Sequence, residues 1–86
     1  MKQTIWKFTL GGIENTFMVP ENGVVRYVGK DPETGNPAVW VQVDSSAVSE
    51  KRVFMIVGTG HQVESTDEFL GTVVCEPSVW HVFERK

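Results

Sequence analysis

The side chains and glycines best suited to chemistry in this sequence gather at two places. At the first, the apolar run Arg52-Val53-Phe54-Met55-Ile56-Val57 stops at Gly58-Thr59-Gly60-His61. Two glycines allow the backbone to turn tightly or to approach a ligand closely. Successive N–H groups of such a segment can form an anion nest, with the Thr59 hydroxyl and the His61 ring as further donors. The same tetrapeptide can equally be a strand-ending turn that needs glycine for its dihedrals, and both readings stand. It is not a Walker loop, because Gly-x-x-x-x-Gly-Lys is absent, nor is it a dinucleotide fingerprint. The second place is Cys75 and His81, which flank the turn Glu76-Pro77-Ser78.

Metal, nucleophilic and carboxylate chemistry find little support. His61, His81 and Cys75 supply the imidazoles and the thiol, with no Cys-x-x-Cys and no His-x-x-x-His, and two ligands do not close a zinc site. Ser45, Ser46, Ser49, Ser65 and Ser78 lie in turns or loops, where serine is common for backbone reasons, and none sits in a nucleophile elbow. Glu64, Asp67 and Glu68 read as a solvated loop. The expectation is a protein that is not an enzyme, with no metal and no cofactor.

Aromatic residues offer another kind of chemistry. Trp6 shares an apolar face with Phe8 and is expected in the core, whereas Trp40, beside Gln42, and Trp80, beside Val82 and Glu84, suit a rim. An indole near Arg26 or Arg52 suits a nucleobase, through stacking and cation–π contact. The expected ligand-binding set is therefore the backbone of Gly58, Thr59, Gly60 and His61 for phosphate and Arg26 or Arg52 for charge. Trp40 or Trp80 would stack, and His81 would add a hydrogen bond.

The elements that must position these residues are short strands. Alternation and breakers predict strands over 4–10, 15–19, 24–29, 38–43, 52–57, 69–75 and 79–83. Gly11-Gly12 invites a tight turn, Pro20-Glu21-Asn22-Gly23 is a turn in which Asn-Gly tolerates positive φ, and 31–37 reads as an exposed loop. Residues 44–51 are polar, with room for one helical turn, and Gly71 suits a bulge. Residues 52–57 are apolar on both sides, as in a strand covered on two faces. No stretch shows helical periodicity over ten residues. The fold expected is all-β, a small antiparallel meander of about seven strands closing as a barrel or sandwich, in one domain over residues 1–86.

At 86 residues the stability margin of such a domain is thin. The single cysteine offers no internal disulfide and fits a reducing compartment. Most strands carry apolar side chains on both faces, more than one small core can cover. That surplus points to a subunit interface or a ligand groove, and to a homo-oligomer. The formal net charge is −3 and the basic residues are scattered, which disfavours duplex nucleic acid. No apolar run reaches the length of a membrane span, and the N-terminus reads as a strand, not a signal peptide. A soluble, cytoplasmic protein is expected.

The opening Thr4-Ile5-Trp6-Lys7-Phe8, the Gly58-Thr59-Gly60-His61 segment, Gly71-Thr72-Val73 and the closing Val79-Trp80-His81-Val82-Phe83-Glu84 resemble a group of small phage-encoded proteins of unknown function. Order and spacing match along nearly the whole chain, although Gln62-Val63 follows the histidine where that group carries a proline. The resemblance implies a phage origin and expression in a bacterial cytoplasm, and it carries no established catalytic residues. By analogy of class, some small phage proteins are oligomeric sponges for nucleotide-derived immune signals, such as cyclic nucleotides or ADP-ribose derivatives. The expectation is accordingly a non-enzymatic protein binding a small phosphorylated ligand. The alternative is a protein-interaction module: an inhibitor of a host protein, or a virion component.

Overall fold

In the computed structural model, which describes residues 2–86, seven antiparallel strands form two sheets: β1 (Thr4–Thr9), β2 (Glu14–Pro20), β3 (Val24–Lys30), β4 (Pro37–Val43), β5 (Ser49–Gly58), β6 (Glu68–Cys75) and β7 (Ser78–Glu84). One sheet has the order β1-β4-β3 and the other β2-β5-β7-β6. The fold is all-β, as expected, and of the two closures a sandwich fits. The described residues contain no helix, so none is long and apolar enough to cross a membrane.

Neighbours along the chain pair only in the hairpins β3–β4 and β6–β7. The connections β1–β2, β2–β3 and β4–β5 pass from one sheet to the other, and β5–β6 stays in the four-stranded sheet, stepping over the place β7 fills. Gly11-Gly12 carries it from β1 into β2 across the sandwich instead of closing a hairpin. The crossing is fixed by Asn15, whose Oδ1 accepts from Gly12 N at 3.1 Å and whose Nδ2 donates to Gly12 O at 2.8 Å and Phe54 O at 3.2 Å. The turn Pro20–Gly23 returns the chain to the first sheet. There Asn22 takes φ 65°, and Gly23 N donates to Pro20 O at 3.2 Å. The helical turn allowed within 44–51 is a turn over Asp44–Ala47, in which the Asp44 carboxylate accepts from the Ser46 N–H and hydroxyl. β5 then begins three residues earlier than the apolar run suggests.

Alternation assigns the faces. Val39, Val41 and Val43 of β4 meet Phe54 of β5, Val82 of β7 and Val73 of β6 in a core completed by Leu10 and Val19, all buried. Phe8 and Phe17 bridge the two layers, with ring centroids 5.0 Å apart, and Phe17 continues to Phe54 at 6.3 Å. Trp6 starts this aromatic row but, contrary to expectation, lies at the rim, 37% exposed on edge strand β1. Gly71 does sit at a register shift, with Leu70 the extra residue. Its missing side chain lets β6 approach β3: a Cβ there would stand 3.0 Å from the Cβ of Val28.

The loop 31–36 is exposed over most of its length, as expected, but its first residue is not. Asp31 is 1% exposed, and its carboxylate accepts from Thr9 Oγ1 at 2.6 Å, Lys7 Nζ at 3.2 Å and Glu33 N at 2.9 Å. These donors hold its carboxyl at about 2, against an ordinary 3.8, with the Thr9 hydroxyl the largest cause. β5 also departs from expectation. Phe54 and Ile56 face the core, but Val53, Met55 and Val57 have no layer over them within the protomer.

Candidate functional site

The apolar run of β5 ends in a tight turn: His61 N donates to Gly58 O at 3.0 Å, and Gly60 adopts φ 90°, which favours glycine. The His61 ring folds against Gly58, where a Cβ would stand 3.1 Å from Nδ1, with Trp80 of β7 on the same side. Thr59 projects to the opposite side. Its hydroxyl bonds His81 Nε2 at 2.9 Å, and the other nitrogen, Nδ1, meets Thr72 Oγ1 at 3.0 Å. Two threonines thus clamp His81 and tie the turn to β6, while the two histidines lie on opposite faces of the sheet. Thr59 is consequently engaged in the fold rather than pointing at an open nest.

A cleft of about 490 Å³ flanks this turn on the outer face of β5, between Ile13-Glu14 and the segment 62–67. Met55, Val57 and Val63 form its apolar part. Glu14, Glu64 and Asp67 stand around it, against Arg85 alone. Arg85 is paired to Glu14 at 2.5 Å, and this carboxylate raises its pKa. Three carboxylates against one neutralised guanidinium repel phosphate.

Arg52 lies elsewhere, six residues back along β5 and turned inward. Its Nε donates to Glu84 Oε2 at 2.5 Å, one terminal nitrogen to Glu84 Oε1 at 2.8 Å and the other to Gly23 O at 2.6 Å. The guanidinium also stands 5.6 Å from the centroid of the Phe54 ring. Glu84 is the main reason its pKa is raised. With its donors consumed, Arg52 acts as a fastener between the sheets and has little left for a ligand.

Arg26 and Trp40 lie on the outer face of the three-stranded sheet. β3 has a register shift between Val25 and Tyr27, and the extra residue, Arg26, joins that outer face. Its Nε donates to Gln42 Oε1 at 2.8 Å, and Gln42 Nε2 donates to Gln3 Oε1 at 2.6 Å. Two residues from Gln42 on the same face, Trp40 meets Tyr27 with centroids 5.3 Å apart and planes at 52°. Tyr27 is the participant the sequence did not single out. Without the bulge at Arg26, strict alternation would have placed it on the core side.

The structure therefore brings Gly58, His61 and Trp80 together on one side of β5, and Thr59 and His81 on the other. Arg26 and Trp40 share a separate sheet, and Arg52 stands apart from all of them. Among the described residues, no cluster of three or more His, Cys, Asp or Glu could hold a metal ion.

What the fold and these surfaces define is an all-β sandwich domain with one largely apolar outer sheet face and one outer sheet face that carries the Tyr27–Trp40 pair and Arg26. The chain belongs to the family described as a domain of unknown function (DUF7352), whose model matches residues 1–86. No curated protein and no solved structure matches it.

Proposed function

We propose that the protein is a non-enzymatic binding module that works by association, with the outer face of the four-stranded sheet as its interface and a second copy of the chain as its first partner. The observation that carries this is the run of side chains across that face. Met55, Phe83 and Phe69 stand in one row of the register, Val57 pairs His81, and Val79 pairs Val74. Phe69 is 56% and Val74 58% exposed, and Met18, Ile13 and Val63 are exposed around them. A contiguous apolar surface of this kind marks an interface on an otherwise soluble domain. Charge on this face gathers at the cleft beside β5, where Glu14, Glu64 and Asp67 outnumber Arg85, so the apolar side chains of β6 and β7 are what two copies bring together about a twofold axis.

Native mass spectrometry and sedimentation of the purified chain test this. The expected result is a dimer or larger ring that falls to monomer in Phe69→Glu/Val74→Glu, with the circular dichroism spectrum unchanged. A wild-type monomer at every concentration that stays clear would overturn self-association. A host or phage protein would then be the partner to seek, by pulldown from infected cells.

A second reading, that the protein holds a small phosphorylated ligand such as a nucleotide-derived signal, is favoured by the exposed Tyr27–Trp40 pair beside Arg26. That face is distinct from the apolar one, so both readings can hold together. The resemblance of its opening, loop and closing motifs to small phage proteins is what supports a phage origin and the bacterial cytoplasm as its working compartment, and an anti-defence role rests on analogy of class with other small phage proteins.

A further inference from the structure

We infer that the outer face of the three-stranded sheet is a stacking platform for a nucleobase that carries phosphate, with Tyr27 and Trp40 under the base and the Arg26 guanidinium on the phosphate. This rests on the ligand-holding reading and gives it a place; it is independent of the association reading, which uses the other sheet.

The aromatic geometry comes first. Tyr27 is 62% exposed, yet its ring does not wave in solvent: it lies on the backbone of Gly29, where a Cβ would stand 2.8 Å from Tyr27 Cζ. Glycine at 29 is thus what allows the ring to settle flat along the sheet. Trp40, half-buried on the adjacent strand, meets it at 52° and 5.3 Å, so the two rings make a shallow notch. A ring already held in place loses little conformational freedom when a base stacks on it, and base–aromatic stacking tolerates any base.

Charge placement is the second, separate observation. Strands β1, β3 and β4 contain Lys7, Arg26 and Lys30 and no aspartate or glutamate. The strands of the other sheet contain Glu14, Glu50, Glu68 and Glu84 beside Lys51 and Arg52. In a chain of net charge −3, the carboxylates have been kept off the strands that carry the aromatic pair. Lys7 is occupied by Asp31 and Glu33, which raise its pKa. Arg26 is not so occupied. Gln42, itself held by Gln3, takes only its Nε, and both terminal nitrogens are without a partner among the described residues. A guanidinium fixed at one nitrogen and open at two is suited to bidentate contact with phosphate.

A cross-strand aromatic pair also stabilises a sheet on its own, so the test reads binding apart from stability. Tryptophan quenching and fluorescence anisotropy of the full chain are followed with AMP and GMP, with labelled oligo(dT) and oligo(U), and with a duplex of equal length. Quenching by AMP or GMP, or binding of the single strands in preference to the duplex, is expected. The first outcome identifies a free nucleotide as the source of the base, the second a single strand. Tyr27→Ala should weaken binding by about tenfold or more, while Tyr27→Phe should retain it. Arg26→Gln should weaken it and, for the strands, reduce the slope of log affinity against log salt by about one. Melting curves confirm that each variant is folded; should Tyr27→Ala not fold, Arg26→Gln decides, Tyr27→Phe serving as the control expected to bind as the wild type does. Binding unchanged in folded Tyr27→Ala and Arg26→Gln would overturn this placement and leave the ligand-holding reading intact. No binding of any probe at large excess would overturn both.

Discussion

Asp31 shows how much a single residue of this fold can carry. It opens a loop dense in Pro, Gly and Asn, yet its carboxylate is buried beneath β1 and takes three donors from Lys7, Thr9 and Glu33. Each of those bonds favours the ionised form, which is why its carboxyl is held at about 2 against 3.8. A group with a lowered folded value stabilises the protein above its unfolded pKa and loses that contribution as pH falls through the folded one. Asp31 therefore supports the fold fully above pH 4 and progressively less between about 3.8 and 2. Urea melts across this range should show a loss of stability in the wild type that is absent from Asp31→Asn. The variant should be weaker at neutral pH, because an amide cannot accept from all three donors at once. Equal slopes below pH 4 in the two proteins would show that Asp31 is not the titrating group. Nothing in Asp31-Pro32-Glu33-Thr34-Gly35-Asn36-Pro37 signals this burial, since the partners Lys7 and Thr9 lie 24 and 22 residues away in sequence.

At the scale of elements, strand positions were legible and strand partners were not. Alternating residues bounded by Gly11-Gly12, Pro20–Gly23, residues 31–37 and Glu76-Pro77 mark all seven strands to within about three residues, because local sterics set both the pleat and its breaks. Which sheet each strand joins depends on pairings such as Thr4 with Val43 and Glu14 with Met55, which no local pattern encodes. The two bulges divide in the same way. Gly71 announces its own, whereas Val24-Val25-Arg26-Tyr27 reads as an unbroken strand and hides the one that puts Tyr27 and Arg26 on the same outer face. The candidate site was legible only in part for that reason: Trp40 and Arg26 were marked, and Tyr27 was not. Gly71 also sets how closely β6 and β3 approach. Valine is favoured in strands, so Gly71→Val should stabilise an unconstrained β6; against Val28 it should instead destabilise the protein by about 1–3 kcal/mol through overpacking. Gly11→Ala, with nothing within 4 Å of the added carbon, should be neutral or slightly stabilising. Urea midpoints of the two variants would separate packing from propensity, and a neutral Gly71→Val would mean that the sheets have room to part there.

For the molecule as a whole, the core is built mainly of valines around Phe54, and among the described residues the large apolar side chains left exposed outnumber those buried. Stability in so small a domain is a narrow difference between large terms, and the bidentate ion pair of Arg52 and Glu84 inside it therefore matters. Arg52 and Glu84 join β5 to β7, while the third guanidinium contact, to Gly23 O, reaches the turn that leads into the other sheet. Removing one partner of a buried pair strands the other charge, at a cost of about 3 kcal/mol or more. In a chain of this length that lowers the melting temperature by roughly 12 °C or more. Glu84→Gln should show this loss at neutral pH, and the second cation that shares the carboxylate, Lys86 at 3.6 Å from Glu84 Oε1, adds to the repulsion left behind. Replacing both residues, as Arg52→Met/Glu84→Leu, removes the stranded charge and keeps an alkyl chain over the Phe54 ring, at the expense of one donor to Gly23 O. The double variant should therefore be more stable than Glu84→Gln, and a double-mutant cycle completed with Arg52→Met should give a coupling energy well above that of an exposed pair. If the double variant instead melts below both single ones, the pair is not what fastens the sheets, and the Gly23 contact or the packing around Phe54 must carry that role.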